Sequence, residues 1–237
     1  MQYRFPQRLA LFPSTEFYQG RLRTAMKDAP TRLTVLNGSK FPWPTENGEI
    51  IPVVFLQCGI EEEMTGMSKR NVGQAEVVQY VIKLLTTKDV PEEKPKNNKG
   101  KGKEVDRSEF QKADGTSGLK KEIGEKLEIT VLTPYTRQVS ALKDLVPKDV
   151  QVFTIDSFQG RESDIVIFST VRCNVERDIG FVEDERRLNV MWTRAKLALI
   201  IVGDRTTLTV KGLWERALKS CAEVTLPEDP EATNQSG

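Results

Sequence analysis

Three short polar clusters follow apolar runs, and each carries residue types that can do chemistry. Thr133-Pro-Tyr-Thr-Arg-Gln138 follows Leu132 and opens a helical pattern. Its plainest account is a helix cap, with Thr133 as the capping hydroxyl and Pro134 at the first helical position. A hydroxyl and an exposed aromatic at that place could also touch a sugar-phosphate backbone or stack on a base, and the two accounts are compatible. Asp156-Ser-Phe-Gln-Gly-Arg-Glu162 follows Ile155. Gly160 permits a left-handed or close backbone. The Glu162 carboxylate suits ribose hydroxyls, although a capped turn between two strands explains the same residues. The third cluster, Glu183 to Lys196, reads EDERRLNVMWTRAK. Leu188, Met191, Trp192 and Ala195 form an apolar stripe, and Arg187 and Arg194, seven residues apart, are expected on one helix face. A guanidinium projecting from that helix suits a phosphate in bidentate geometry. The plainer account of each arginine, Arg4 included, is a solvated side chain, with Glu183 or Glu185 as partners on the helix.

Composition narrows the chemistry. The 237 residues include 35 Lys+Arg, 34 Asp+Glu and no histidine, for a formal charge of +1. Without histidine there is no imidazole base, no Ser-His or Cys-His nucleophile and no His-ligated metal. The near-neutral balance means that any basic nucleic-acid surface must be local. Cys58, Cys173 and Cys221 are too few and too scattered for a disulfide framework or a zinc site, which points to a reducing, intracellular setting. The first residues lack a signal-peptide core, and the longest apolar run, Leu197 to Val202, is far too short to cross a bilayer, so no membrane is expected.

These clusters need elements to hold them. Apolar runs at 52–57, 128–132, 150–155, 164–171 and 197–203 predict strands. Helices are predicted over 69–87, where Ala75, Val78, Ile82 and Leu85 are spaced 3, 4 and 3 apart, and over 135–146, 183–196 and 213–221. The strands are continuous apolar runs, as in a parallel sheet covered on both faces, so the class is doubly wound α/β. Ligands of such sheets sit beyond the carboxyl ends of strands, and the site is expected there. Between Pro91 and Lys121 only Val105, Phe110, Ala113 and Leu119 are apolar, and this Lys-rich stretch is expected to be a disordered insertion. Its Gly-Lys-Gly-Lys run at 100–103 lacks the spacing, the preceding strand and the Ser/Thr of a phosphate loop.

Taken in order, four blocks resemble superfamily 1 helicases, in the branch of the RNA-surveillance (nonsense-mediated decay) helicase. They are Gln2-Tyr3-Arg4 with Phe12-Pro-Ser14, Phe17-Tyr18 and Gly20-Arg-Leu22; Thr133-Pro-Tyr with Gln138; Asp156 to Asp164 with Val171-Arg172; and Arg186 to Ala195 running into Ile-Ile-Val-Gly203. In the last block the bulky pair Met191-Trp192 stands where the family has two small apolar residues.

The resemblance implies a RecA-like fold of the P-loop NTPase type, specifically the second, C-terminal RecA-like domain. That domain would begin over 1–90, be interrupted at 91–121, resume over 122–226 and end in a disordered tail, 227–237. It implies Arg4 and Arg194 at the γ-phosphate of ATP, Glu162 with Gly160 at the ribose, Tyr3 near the adenine, and Thr133, Tyr135 and Ser157 facing single-stranded RNA or DNA. No phosphate loop of the form G-x-x-x-x-G-K-[ST] occurs in the sequence, so a first RecA-like domain, in cis or in trans, is expected to supply it together with the Mg²⁺ ligands. The expected function is the C-terminal half of an ATP-dependent helicase, inactive alone and located in the cytoplasm or nucleus. The alternative is a non-catalytic nucleic-acid- or partner-binding module that kept the fold. An ordinary doubly wound nucleotide enzyme is disfavoured by the lack of a glycine-rich dinucleotide loop.

Overall fold

Six parallel strands form the centre of the protein. The structure is a computed structural model describing residues 5–25, 33–88 and 126–229. Strands β1 (Thr45–Glu46) and β2 (Glu49–Ile50) make a small hairpin, as do β4 (Glu63–Thr65) and β5 (Ser68–Arg70). The main sheet runs in the order β10 (Ala222–Glu223), β3 (Val53–Gln57), β9 (Ala195–Gly203), β8 (Ser163–Ser169), β6 (Ile129–Thr133), β7 (Gln151–Thr154). Every neighbouring pair in it is parallel, and with its covering helices it is the RecA-like α/β fold.

Alternation along these strands builds two cores. Val53, Phe55, Val166, Phe168, Leu199 and Ile201 face one layer of helices. That layer is α1 (Gln7–Phe17), α4 (Glu185–Trp192), α5 (Arg205–Leu208) and α6 (Gly212–Lys219). Val54, Leu56, Ile165, Ile167, Ile200 and Val202 face α2 (Val72–Thr86) and α3 (Thr136–Leu145) on the other side. Burial on both faces explains why the strands read as continuous apolar runs. Each buried aliphatic side chain contributes about 1.5–3 kcal/mol before the entropy of ordering is subtracted.

The structure differs from the sequence expectation at several boundaries. The helix expected from residue 69 begins at Val72, because Asn71 caps it and residues 68–70 pair as β5. The helix expected over 183–196 is a 3-10 turn, Gly180–Glu183, followed by α4, which ends at Trp192. Asp184 starts α4 by accepting from the backbone N–H groups of Arg186 and Arg187, and Ala195 already pairs with Ser163 in the sheet. Arg187 and Arg194 therefore do not share a helix face. Helix α1, the hairpin of β1 and β2, and strand β4 lie in segments where no element was expected. Residues 227–229, at the start of the expected tail, lie against α2, with the Tyr80 hydroxyl donating to the Glu228 carbonyl at 3.2 Å. The Lys-rich stretch 91–121 and residues 230–237 fall outside the described residues.

The bulky Met191-Trp192 pair has a physical reason. Pro13 sits inside α1 and has no N–H, so the carbonyl of Leu9, one turn earlier, lacks its helical donor. The buried Trp192 indole supplies one, donating to Leu9 O at 3.1 Å. Its ring also packs 4.4 Å from that of Phe12.

Candidate functional site

The residues picked out by sequence fall at opposite edges of the sheet. Glu162 and Arg194 lie at the amino edge, immediately before β8 and β9, whose first residues Ser163 and Ala195 are in register. The Ser163 N–H donates to the Arg194 carbonyl at 3.1 Å, which holds these two strand starts together. Arg194 is half-buried. Its guanidinium donates to the carbonyls of Val190 at 2.9 Å and Arg161 at 3.1 Å, and to the Thr193 hydroxyl at 3.2 Å. Glu162 is exposed beside it. Gly160 has φ +82°, and a Cβ there would meet nothing within 4 Å, so dihedral freedom and not space requires the glycine. The expectation that the site follows strand ends thus fails for Glu162 and Arg194. The connection 155–162 leaves the carboxyl end of β7 and must return to the amino end of the parallel β8, carrying its last residues to the other edge. Tyr3 and Arg4 lie outside the described residues.

Thr133, Tyr135 and Ser157 are at the carboxyl edge, as expected of strand ends. Thr133 does not cap the helix: it is the last residue of β6, paired with Thr154, and the N-cap position of α3 falls to Tyr135, whose side chain makes no capping bond. Neither Thr133 nor Tyr135 presents surface to a strand in this structure, at 0% and 4% exposure. The Tyr135 hydroxyl instead accepts from Arg172 Nη1 at 3.2 Å and from the Phe181 N–H at 3.4 Å. Ser157 is exposed, its hydroxyl donating to the Thr154 carbonyl at 2.9 Å. Arg187 pairs with neither Glu183 nor Glu185. It makes a two-pronged bond to Asp156, at 3.1 and 3.0 Å, across to the turn after β7.

A buried polar network behind this edge was not legible in the motifs. Arg172 is 1% exposed and pairs with Asp178 at 2.8 Å and Glu62 at 3.3 Å. Burial opposes its charge, but Tyr135, Glu62 and Asp178 together hold its pKa above the ordinary value. Glu62 also takes Lys69 at 2.8 Å and the Cys173 N–H at 2.6 Å. Buried Asn71 donates to the carbonyls of Ile60 at 2.7 Å and Val171 at 3.0 Å, while its side-chain oxygen caps Gln74 N at 2.9 Å. Gln74 and Gln138 complete the network: Gln74 accepts from the Val171 N–H at 2.8 Å, and Gln138 accepts from the Asn71 N–H at 2.7 Å. These bonds hold Val171 at φ +69°, a strained conformation for a β-branched residue. Tyr135, Gln138 and Val171-Arg172 stood in the quoted blocks without this role, and Asn71 followed three residues later by Gln74 has the spacing of a reciprocal cap. Among the described residues no cluster of three or more Cys, Asp or Glu could hold a metal ion, and no helix is long and apolar enough to cross a membrane.

Comparison with known proteins agrees with this architecture. The profile of a family described as an AAA domain matches residues 1–206. The Regulator of nonsense transcripts 1 homolog of Drosophila melanogaster is 32% identical over 228 residues, which cover 92% of this chain and 16% of that protein. The ATP-dependent helicase NAM7 of Saccharomyces cerevisiae is 34% identical over 231 residues, covering 92% of this chain and 20% of its own length. The DNA polymerase alpha-associated DNA helicase A of the same yeast is 31% identical over 238 residues, 94% of this chain and 29% of that helicase. The chain thus spans less than a third of each of these relatives.

Proposed function

The chain belongs to the AAA-domain family, as a superfamily 1 helicase domain of the kind found in the regulators of nonsense transcripts, and from that premise we propose that it is the C-terminal RecA-like half of an ATP-dependent RNA or DNA helicase. ATP would lie between this domain and a first RecA-like domain, which supplies the phosphate loop and the Mg²⁺ ligands. Arg194, with Arg4, would reach the γ-phosphate and stabilise the charge that develops as the phosphoryl group transfers. Glu162, its backbone shaped by Gly160, would accept from the ribose hydroxyls, and Tyr3 would pack near the adenine. The residues suit the group: a permanently charged guanidinium for phosphate oxygens and an exposed carboxylate for hydroxyls. Ser157 would contact the single strand at the opposite edge, with Thr133 and Tyr135 positioning that edge from beneath.

The observation that carries this reading is the side-by-side presentation of Glu162 and Arg194 at the starts of two adjacent strands, with the guanidinium oriented by the Val190 and Arg161 carbonyls. It is tested by complementation. The chain alone is expected not to turn over ATP. Adding a first RecA-like domain from a relative is expected to restore strand-stimulated hydrolysis, which Arg194→Ala lowers by about 10³-fold or more, the scale of a lost arginine finger. Turnover by the chain alone that depends on Arg194 would overturn the half-engine reading. Strand binding without any rescue would favour a non-catalytic binding module.

A further inference from the structure

The helicase reading places a single strand at the carboxyl edge of the sheet, and the aromatic side chain expected to meet it, Tyr135, is buried. The geometry points to Phe181 as the residue on which a base of that strand stacks; this rests on the reading above.

Phe181 is 58% exposed, in the loop that follows β8. Three features make its ring a supported platform. Its centroid lies 5.5 Å from that of Tyr135, with the planes tilted by 46°. Its backbone N–H donates to the Tyr135 hydroxyl. The Arg187 guanidinium sits over the ring, 5.4 Å from its centroid, and is itself clamped by Asp156. A cation over one face of an aromatic ring is an attractive arrangement, and it leaves the exposed remainder for another flat group. A large exposed aromatic held this firmly costs little ordering entropy when a base arrives.

The loop is shaped to bring Phe181 to this place. Gly180 has φ +55°, and a Cβ there would lie 2.7 Å from the Tyr135 hydroxyl and 2.8 Å from Arg172 Nη1. Only glycine lets the loop settle onto that buried pair. Arg172 in turn holds the loop through Asp178, to both its carboxylate and its carbonyl. Buried Tyr135 and Arg172 therefore act as the pedestal, and Phe181 is what they raise to the surface. Through Arg187 and Asp156, the platform is tied directly to the turn that carries Ser157, the other surface group expected on the strand. The chemistry is sugar-blind, because every base has a flat face, so it suits RNA and DNA alike.

The test uses the full chain and two labelled strands of equal length and charge: an oligouridylate, and an abasic strand that keeps the backbone and lacks the bases. Affinities are read by fluorescence anisotropy at fixed salt. Wild type is expected to bind the base-bearing strand more tightly than the abasic one. Phe181→Ala is expected to lose about tenfold or more on oligouridylate, the scale of one stacked base, and little on the abasic strand. Phe181→Trp is expected to keep the preference, with its indole fluorescence quenched by oligouridylate and not by the abasic strand. Gly180→Ala is a second, independent disruption and is expected to reproduce the Phe181→Ala loss while Phe181 itself is retained. Equal affinity of wild type and Phe181→Ala for oligouridylate overturns the assignment and leaves the helicase reading standing. Binding of neither strand by wild type overturns the assignment and leaves the helicase reading to the complementation assay, and a Phe181→Ala loss equal on the two strands overturns stacking in favour of backbone contact.

Discussion

Asn71 separates two explanations of the same side chain. It begins α2, and its oxygen caps Gln74 N at 2.9 Å. Its amide also donates to the carbonyls of Ile60 and Val171, which follow β3 and β8. If Asn71 is only a cap, Asn71→Ala should cost about 1 kcal/mol and Asn71→Asp almost nothing, since aspartate caps as well as asparagine. The network implies more. Val171 is fully buried, so its carbonyl, left without a donor, adds about 1–3 kcal/mol, whereas water can reach exposed Ile60. Asn71→Ala should therefore cost roughly 3 kcal/mol in all. In a chain of 237 residues that lowers Tm by about 6–12 °C, at about 2–4 °C per kcal/mol. Asn71→Asp should be at least as damaging, because it removes both donors and sets an anion against a carbonyl oxygen. Urea and thermal unfolding at neutral pH, followed by far-UV circular dichroism, measure both variants. Wild-type stability in Asn71→Asp would refute the bridging role and leave a cap alone.

Two further outcomes follow from buried contacts. Gly203 ends β9 against the fully buried Thr170, and an added Cβ would overlap the Thr170 hydroxyl and lie 3.1 Å from Leu208, so Gly203→Ala should lower stability by about 1–3 kcal/mol in urea titrations. Burial pushes the Cys173 thiol up to about 11 and the Cys221 thiol up to about 12, from an ordinary 9.0. Between those limits the native state keeps protons that the unfolded chain sheds, so their contribution is complete below about pH 9 and falls as pH rises. The urea midpoint should fall less steeply between pH 8 and pH 10 in the Cys173→Ala/Cys221→Ala variant than in wild type, and equal slopes would contradict this assignment.

The parallel sheet was legible because burial on both faces leaves an unbroken apolar run, and Asp164 to Val171 and Leu197 to Gly203 show it without help from the rest of the chain. Helix α1 was not legible, because Pro13 breaks the local pattern and its orphaned carbonyl is repaired by Trp192, 183 residues away from the Leu9 that carries it. Strand β4 was missed, and residues 69–70 of β5 were absorbed into the predicted helix, since residues 63–70 show no strict apolar–polar alternation.

Among the candidate site residues, the sequence supplied residue types, and the structure shows that it did not supply orientation. Gly160, Glu162, Ser157 and Arg194 could be singled out from order and spacing along the chain. Spacing also put Arg187 and Arg194 on one face and made Tyr135 a surface aromatic, and here it misled. Helix α4 stops where the backbone of Ala195 finds a strand partner, and Tyr135 is covered because Arg172, 37 residues later, needs its hydroxyl. Amino-acid order by itself determined the α/β class, the helicase motifs and the absence of histidine chemistry, because these depend on local burial patterns and residue types. Only the tertiary structure decided which edge of the sheet each motif reaches and which aromatic ring stays in water, because both are set by pairings between segments far apart in the chain.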